Sequence, residues 1–189
     1  MSSLSAIARG GDPCNNSKGC GGIMRVAPVA LYAAVRENFD DVMVAELAAD
    51  VAECTHQHPL GFLPASLLSV LIYKVVKMSP AQVREEIDNI VAETITILDR
   101  IYVGRYERDK ECLRELTNQA VALAHSGIED AEAIRILGEG WVADEAWAIA
   151  LYSAIRHIDS VEEAIITSVN HDGDSDSTGS ICGNIMGAI

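Results

Sequence analysis

Basic residues are scarce in this 189-residue chain: 14 Lys and Arg stand against 28 Asp and Glu, a formal net charge of -14. That deficit excludes recognition of DNA or RNA through phosphate contacts, which needs a cationic face. Paired cysteine is lacking too. Cys14, Cys20, Cys54, Cys112 and Cys182 are odd in number, scattered, and form no Cys-x-x-Cys. A disulfide framework is thereby excluded, and a reducing cytoplasm is the expected compartment. No charged-then-apolar leader opens the chain, and the apolar stretch from Leu60 to Val76 is broken by Pro64 and Lys74. Neither a secretion signal nor a membrane span is read from that pattern. Asn-Gly hairpin signals and sustained apolar/polar alternation are also missing, which argues against a sheet.

What is there is helical spacing. The region around residues 1 to 22, rich in Gly, Ser and Asn, reads as loop. A helix is expected from Pro28 to Arg36, then one capped by Asp40 or Asp41 with Val44, Leu47, Ala48 and Val51 at helical spacing. His56-Gln-His-Pro59 ends it, and Leu63 to Met78 reads as an almost wholly apolar, buried helix. Ser79-Pro80 caps the next, whose apolar face carries Val83, Ile87, Ile90, Val91, Thr94, Ile95, Leu98, Ile101 and Tyr102. Further helices are expected over 109–125, from Asp130 to Gly138, over 144–157 and over 161–169, the last opened by the capping-box sequence Ser160-Val-Glu-Glu163. The fold class is all-α, a compact multi-helix domain over 1–189.

The segment His171-Asp-Gly-Asp-Ser-Asp-Ser-Thr-Gly179 sets three carboxylates on alternate residues ahead of two hydroxyls. Converging carboxylates repel unless protons or a cation compensate, so this stretch suits a hard, oxygen-preferring metal. An EF-hand is excluded, since Ser177 and Gly183 stand where Gly and Glu are needed. The string Asp174-x-Asp176-x-Thr178 also resembles an aspartyl phosphatase loop, but a helix rather than a strand runs into it. Gly179, Gly183 and Gly187 then form one helical stripe, which would let another backbone approach closely. Ser17-Lys-Gly-Cys-Gly-Gly22 offers flexible backbone N–H groups ahead of Ile23-Met24-Arg25, a nest suited to phosphate, without the spacing of a Walker loop. Cys14, Cys20, His56 and His58 match no common zinc spacing. Gly138-Glu-Gly-Trp141 is either a cap beside a core tryptophan or a turn presenting an indole to a cavity.

Four segments taken together resemble the ADP-ribosylglycohydrolase family, which includes the dinitrogenase-reductase-activating glycohydrolases. They are Asn16 to Pro28, Thr55-His-Gln-His-Pro59, Gly138 to Ala143, and Asn170 to Ala188, in the family's order. The resemblance implies metal-dependent hydrolysis of the glycosidic bond joining ADP-ribose to a protein side chain or small molecule, with two Mg2+ or Mn2+ ions. It implies Asp174, Asp176 and Ser177 as metal ligands, with Asp174 also in the catalytic machinery. Ser177 stands where many members have threonine. Lys18, Gly19, Cys20 and Gly21 would wrap the diphosphate and distal ribose, with Met24 behind them, His56 on the nucleotide side, and Trp141 lining the cleft. Such a protein acts as a monomer on ADP-ribosylated protein or an ADP-ribose-containing small molecule, with no nucleic-acid or membrane partner.

One departure bears on activity. The family's N-terminal Thr-Asp-Asp-Thr metal motif and catalytic acid have no match in residues 1–22, and Asp12, Asp40 and Asp41 lack that motif's context. The chain therefore reads as the central and C-terminal part of a glycohydrolase, truncated at the N-terminus and slightly at the C-terminus. Two functions stay open on sequence grounds: an enzyme of the family, and a catalytically inactive ADP-ribose-binding or structural remnant of it.

Overall fold

The computed structural model describes residues 5, 6, 8–11 and 14–189. Asp12 lies outside them. After a short 3-10 helix (Ile23–Arg25) come α1 (Ala27–Ala34), α2 (Asp41–Glu53), α3 (Pro59–Val75), α4 (Pro80–Ile101) and α5 (Glu107–Ala124). The chain continues through α6 (Asp130–Leu137), α7 (Ala143–Arg156), α8 (Val161–Val169) and α9 (Ser175–Met186). No strand forms among the described residues; Gly19 and Val142 make one isolated antiparallel bridge. No helix among them is long and apolar enough to cross a membrane.

α3 is the axis of the core. Leu63, Leu67, Leu68 and Leu71 are fully buried on it, each contributing about 1.5–3 kcal/mol by leaving water. α1, α2, α4 and α7 pack around it, and α8 and α9 close against α7. The helix begins four residues before the expected Leu63 because His58 Nδ1 accepts the Leu60 N–H at 3.0 Å and Pro59 occupies the first turn. Pro64 sits inside it without ending it: burial on all sides outweighs one lost backbone hydrogen bond.

The other caps follow local chemistry. Asp40 accepts the Met43 N–H at 2.9 Å and starts α2, while Asp41 pairs with Lys74 at 3.2 Å. Both acids are thus occupied at the start of α2. Ser79 and Gln82 form a complete capping box on α4. At α8 only half of the expected box exists. Ser160 accepts the Glu163 N–H, but its own N–H is already given to the His157 carbonyl.

Asp130, at the start of α6, staples that helix to α7 and, through the Thr167 hydroxyl at 3.3 Å, to α8. Tyr152 donates its hydroxyl to Oδ1 at 2.6 Å, His157 Nε2 lies 3.0 Å from Oδ2, and Arg156 Nε lies 3.5 Å from Oδ1. Burial pushes this carboxyl up, but Tyr152, His157 and Arg156 together hold it below the usual carboxylate range. A depressed folded-state value stabilises above the unfolded value near pH 4 and is lost as pH falls through the folded one. Asp130→Asn should therefore cost about 1–2 kcal/mol at pH 7, discounted for a side chain 35% exposed. The difference between denaturant melts of the two proteins should narrow as pH falls below about 4. A constant difference between pH 7 and pH 3 would show that charge plays no part.

Candidate active site

Two segments distant in sequence meet at the N-terminus of α9. The glycine turn 17–22 is fastened on one side to the start of α7, where Ala143 N–H donates to the Lys18 carbonyl at 2.8 Å beside the Gly19–Val142 bridge. On its other side lies the His56 imidazole. β-Carbons on Gly19, Gly21 and Gly22 would each come within 3.3 Å of that ring, so the three glycines form its cradle. Burial, and secondarily Arg25, lowers the His56 pKa, which favours the neutral imidazole. Thr55 Oγ1 lies 2.8 Å from its Nδ1.

The turn carries Cys20 to the acidic segment. Cys20 Sγ donates to Asp174 Oδ2 at 2.9 Å and lies 2.9 Å from Ser177 Oγ. Ser177 Oγ also donates toward Asp174 Oδ2 at 2.9 Å and lies 3.2 Å from Met24 Sδ. Asp174 and Ser177 are buried, whereas Asp176 is exposed. Burial pushes the Asp174 carboxyl up, but donations from Cys20, Asp176 and Ser177 hold it below its ordinary range. Asp174 in turn pushes the Asp176 carboxyl up, as expected when neighbouring acids share a proton. Burial, followed by the Asp174 hydrogen bond, raises the Cys20 thiol.

The acidic turn is held by backbone rather than by the glycine stripe. Asp174 N–H donates to the Glu139 carbonyl at 2.8 Å. Glu139 and Gly140 in turn give their N–H groups to Glu145 Oε2 at 3.0 and 3.1 Å. Gly138 and Gly140 have φ of +129° and +82°, values that favour glycine. This turn leaves Trp141 58% exposed, so the indole is presented outward and is no core residue. His171 anchors the other end: Nδ1 accepts the Gly173 N–H, and Nε2 lies 3.0 Å from Thr178 Oγ1. A 460 Å3 cavity flanks the turn, lined among others by Ile134, Arg135, Glu139 and His171.

The stripe differs from expectation. A β-carbon on Gly179 would press on Val169 Cγ1 at 2.5 Å, and one on Gly183 would meet Ile165 Cδ1 at an ordinary 3.5 Å. α9 therefore meets side chains of α8 there instead of a close-packed backbone.

Lys18 Nζ lies 3.7 Å from Asp144 Oδ2, a partner that sequence reasoning missed. Asp144 is 5% exposed, and its Oδ1 has no hydrogen-bond partner among the described residues. Burial raises its pKa, and Lys18 opposes that only in part. Position alone marked it as the start of a helix, so nothing in the sequence pointed to a buried acid. Among the described residues, no three of His, Cys, Asp and Glu gather as a metal cage. Cys20 and Asp174 do meet, with the Ser177 hydroxyl as third donor. This donor set, built on a buried carboxylate, fits one side of a divalent-ion site.

An all-α domain that clasps a buried aspartate with a glycine turn is the class this geometry defines. The ADP-ribosylglycohydrolase family model matches residues 1–189, and the chain belongs to that family. It is 25% identical to ADP-ribosylhydrolase ARH3 of Homo sapiens over 189 residues, covering 91% of this chain and 50% of that protein. The Bos taurus ARH3 is 24% identical over the same shares, and an uncharacterized protein of Archaeoglobus fulgidus is 29% identical over 177 residues, 89% of this chain and 48% of its own. The chain spans about half the length of the curated relatives it matches.

Proposed function

We propose that this domain binds an ADP-ribosyl group between the glycine turn and the start of α9, and takes part in metal-dependent hydrolysis of its glycosidic bond. The supporting observation is the meeting of Cys20 with Asp174 and Ser177 across more than 150 residues of chain. Membership of the family and likeness to proteins named ADP-ribosylhydrolase support the substrate class.

Asp174 and Ser177, with Asp176 at the rim, would hold magnesium or manganese, since carboxylate and hydroxyl oxygens suit those ions. A divalent ion there supplies orientation of sugar hydroxyls and charge stabilisation as the anomeric carbon becomes oxocarbenium-like. Lys18 brings a cation to the diphosphate, and the turn's backbone approaches it closely because glycines line it. Neutral His56 stiffens the turn from behind. Trp141 offers an exposed aromatic face next to the Gly19–Val142 bridge that fastens the turn.

Binding without turnover is the second reading. It is favoured by the incomplete ring of carboxylates around Asp174 among the described residues. Fluorescence separates binding from its absence, because Trp147 is fully buried and Trp141 is exposed. ADP-ribose with Mg2+ should change Trp141 emission saturably, and Trp141→Phe should remove the signal. Release of ADP-ribose from modified protein then distinguishes turnover from binding. An unchanged emission at every ligand concentration would count against the site.

A further inference from the structure

We infer that Asp144 is a positioning residue for the diphosphate: it holds Lys18 while the turn is empty, and takes up a proton when Lys18 turns to the ligand. ADP-ribose should therefore bind more weakly as pH rises. The inference rests on the role proposed above for Lys18.

The glycine turn and α7 are joined where the two side chains begin. Ala143 N–H donates to the Lys18 carbonyl at 2.8 Å, and Gly19 pairs with Val142. Asp144 follows Ala143, and its Oδ2 lies 3.7 Å from Lys18 Nζ. That is an ion pair without a hydrogen bond, since N–H···O bonds close at about 2.7–3.2 Å. Lys110 shows how a structural lysine is held in this fold. Its side chain is 3% exposed and reaches Asp99, Glu107 and the Tyr102 carbonyl at 3.3, 2.8 and 3.1 Å. The Lys18 side chain is instead 36% exposed, against 7% for Asp144. The acid is fixed by burial, and the lysine has room to leave it.

A buried carboxylate with one oxygen unpartnered keeps its charge only through the groups that face it. Burial pushes the Asp144 carboxyl up. Lys18 and the first N–H groups of α7 pull it down, while Glu145 adds to the rise. Glu145 is itself tied to the Glu139 and Gly140 N–H groups. From α5, Cys112 faces the pair: burial and then Asp144 push its thiol up, Lys18 opposes them, and Glu115 and Asp109 add to the rise. The charged residue of α3, Lys74, pairs with Asp41 and Glu93. Asp130 of α6 is held by Tyr152, Arg156 and His157, near the other end of α7. Glu132, Arg135, Glu162 and Glu163 of α6 and α8 are exposed, and α9 carries only Asp176, which acts on Asp174. Lys18 is thus the only cation within 4 Å of Asp144 among the described residues. An opposite charge at that distance changes a carboxyl's proton affinity about tenfold or more. Once Lys18 turns away, Asp144 binds a proton from water more tightly than in the empty turn. Binding then takes up a proton between the two values, and affinity falls as pH rises through that window.

The test is calorimetric titration of the chain with ADP-ribose in saturating Mg2+, over a series from pH 5 to pH 8. Asp144→Asn mimics the protonated acid. At pH 8 it should bind on the order of tenfold more tightly than the parent, and at pH 5 nearly equally. Equal or weaker binding by Asp144→Asn across the series overturns the inference. So does a ratio that stays constant with pH, which a merely structural role would give. Melts of the ligand-free chain judge the pair by itself. Lys18→Met leaves an ionised Asp144 without its cation, so it should destabilise the parent more at pH 8 than at pH 5. In Asp144→Asn its effect should not vary with pH. An effect of Lys18→Met that is constant with pH in the parent breaks the pairing. Absence of ADP-ribose binding by the folded parent overturns the proposed substrate and the ligand half of the inference, while the melts still decide the pair.

Discussion

On the proposed site, Mg2+ or Mn2+ should stabilise this protein against heat, and Asp174→Ala should abolish that stabilisation. At a concentration one hundred times its dissociation constant, a bound ion adds about 2.7 kcal/mol. For a domain of this size each kcal/mol moves the melting temperature by about 2–4 °C, so the parent protein should gain about 5–11 °C over its value in chelator. Asp174 dominates because it is the buried carboxylate of the group. Asp176 is exposed, and Ser177 offers only a neutral hydroxyl. Asp174→Ala leaves an ion with one solvated acid, and hydrated cations gain little from that. Scanning fluorimetry in chelator and in excess metal measures the difference. An undiminished shift in the variant would remove Asp174 from the site.

The second large effect is structural. A β-carbon at Gly173 would fall on the Glu139 carbonyl and within 2.9 Å of the Glu139 Cα. Those are backbone atoms and cannot swing aside as a side-chain tip does. Gly173→Ala must therefore push the acidic turn away and break the 2.8 Å bond from Asp174 N–H to Glu139 O. Overpacking costs about 1–3 kcal/mol and the lost hydrogen bond about 1 more, so the melting temperature should drop on the order of 10 °C. Gly183→Ala is the contrasting case. Its β-carbon has ordinary room beside Ile165, and alanine gains about 0.8–1.0 kcal/mol of helix propensity over glycine. It should be neutral or stabilising. The reverse order of the two melting temperatures would mean that the turn is not held where the Glu139 carbonyl places it.

The contrast between those two glycines shows what the sequence could and could not reveal. Spacing exposed the stripe at Gly179, Gly183 and Gly187, yet spacing is blind to what lies opposite. Gly173 looked like loop composition because its constraint comes from Glu139, which is distant in sequence. Helix starts were legible where an aspartate or serine is the cap: Asp40, Ser79 and Ser160 each bond within three residues. The start of α3 was not, since a histidine cap and an internal proline read as a break. Acid alternation singled out the segment holding Asp174, Asp176 and Ser177, while its partnership with the turn at Lys18 to Gly21 came through family resemblance. The resemblance sets Cys20 in the turn around the diphosphate and distal ribose. The structure places its sulfur on Asp174 itself, a contact that no periodicity could show. Asp144 escaped for the same reason: burial is a property of the assembled core.

Calorimetric titration of the chain with ADP-ribose in saturating Mg2+ tests the central claim most directly. A one-to-one heat is expected, lost in chelator and in Asp174→Ala, and weakened by Lys18→Ala, which withdraws the cation proposed for the diphosphate. ADP-ribose binding that is indifferent to metal and to both substitutions, or no binding by the folded parent chain, would contradict it.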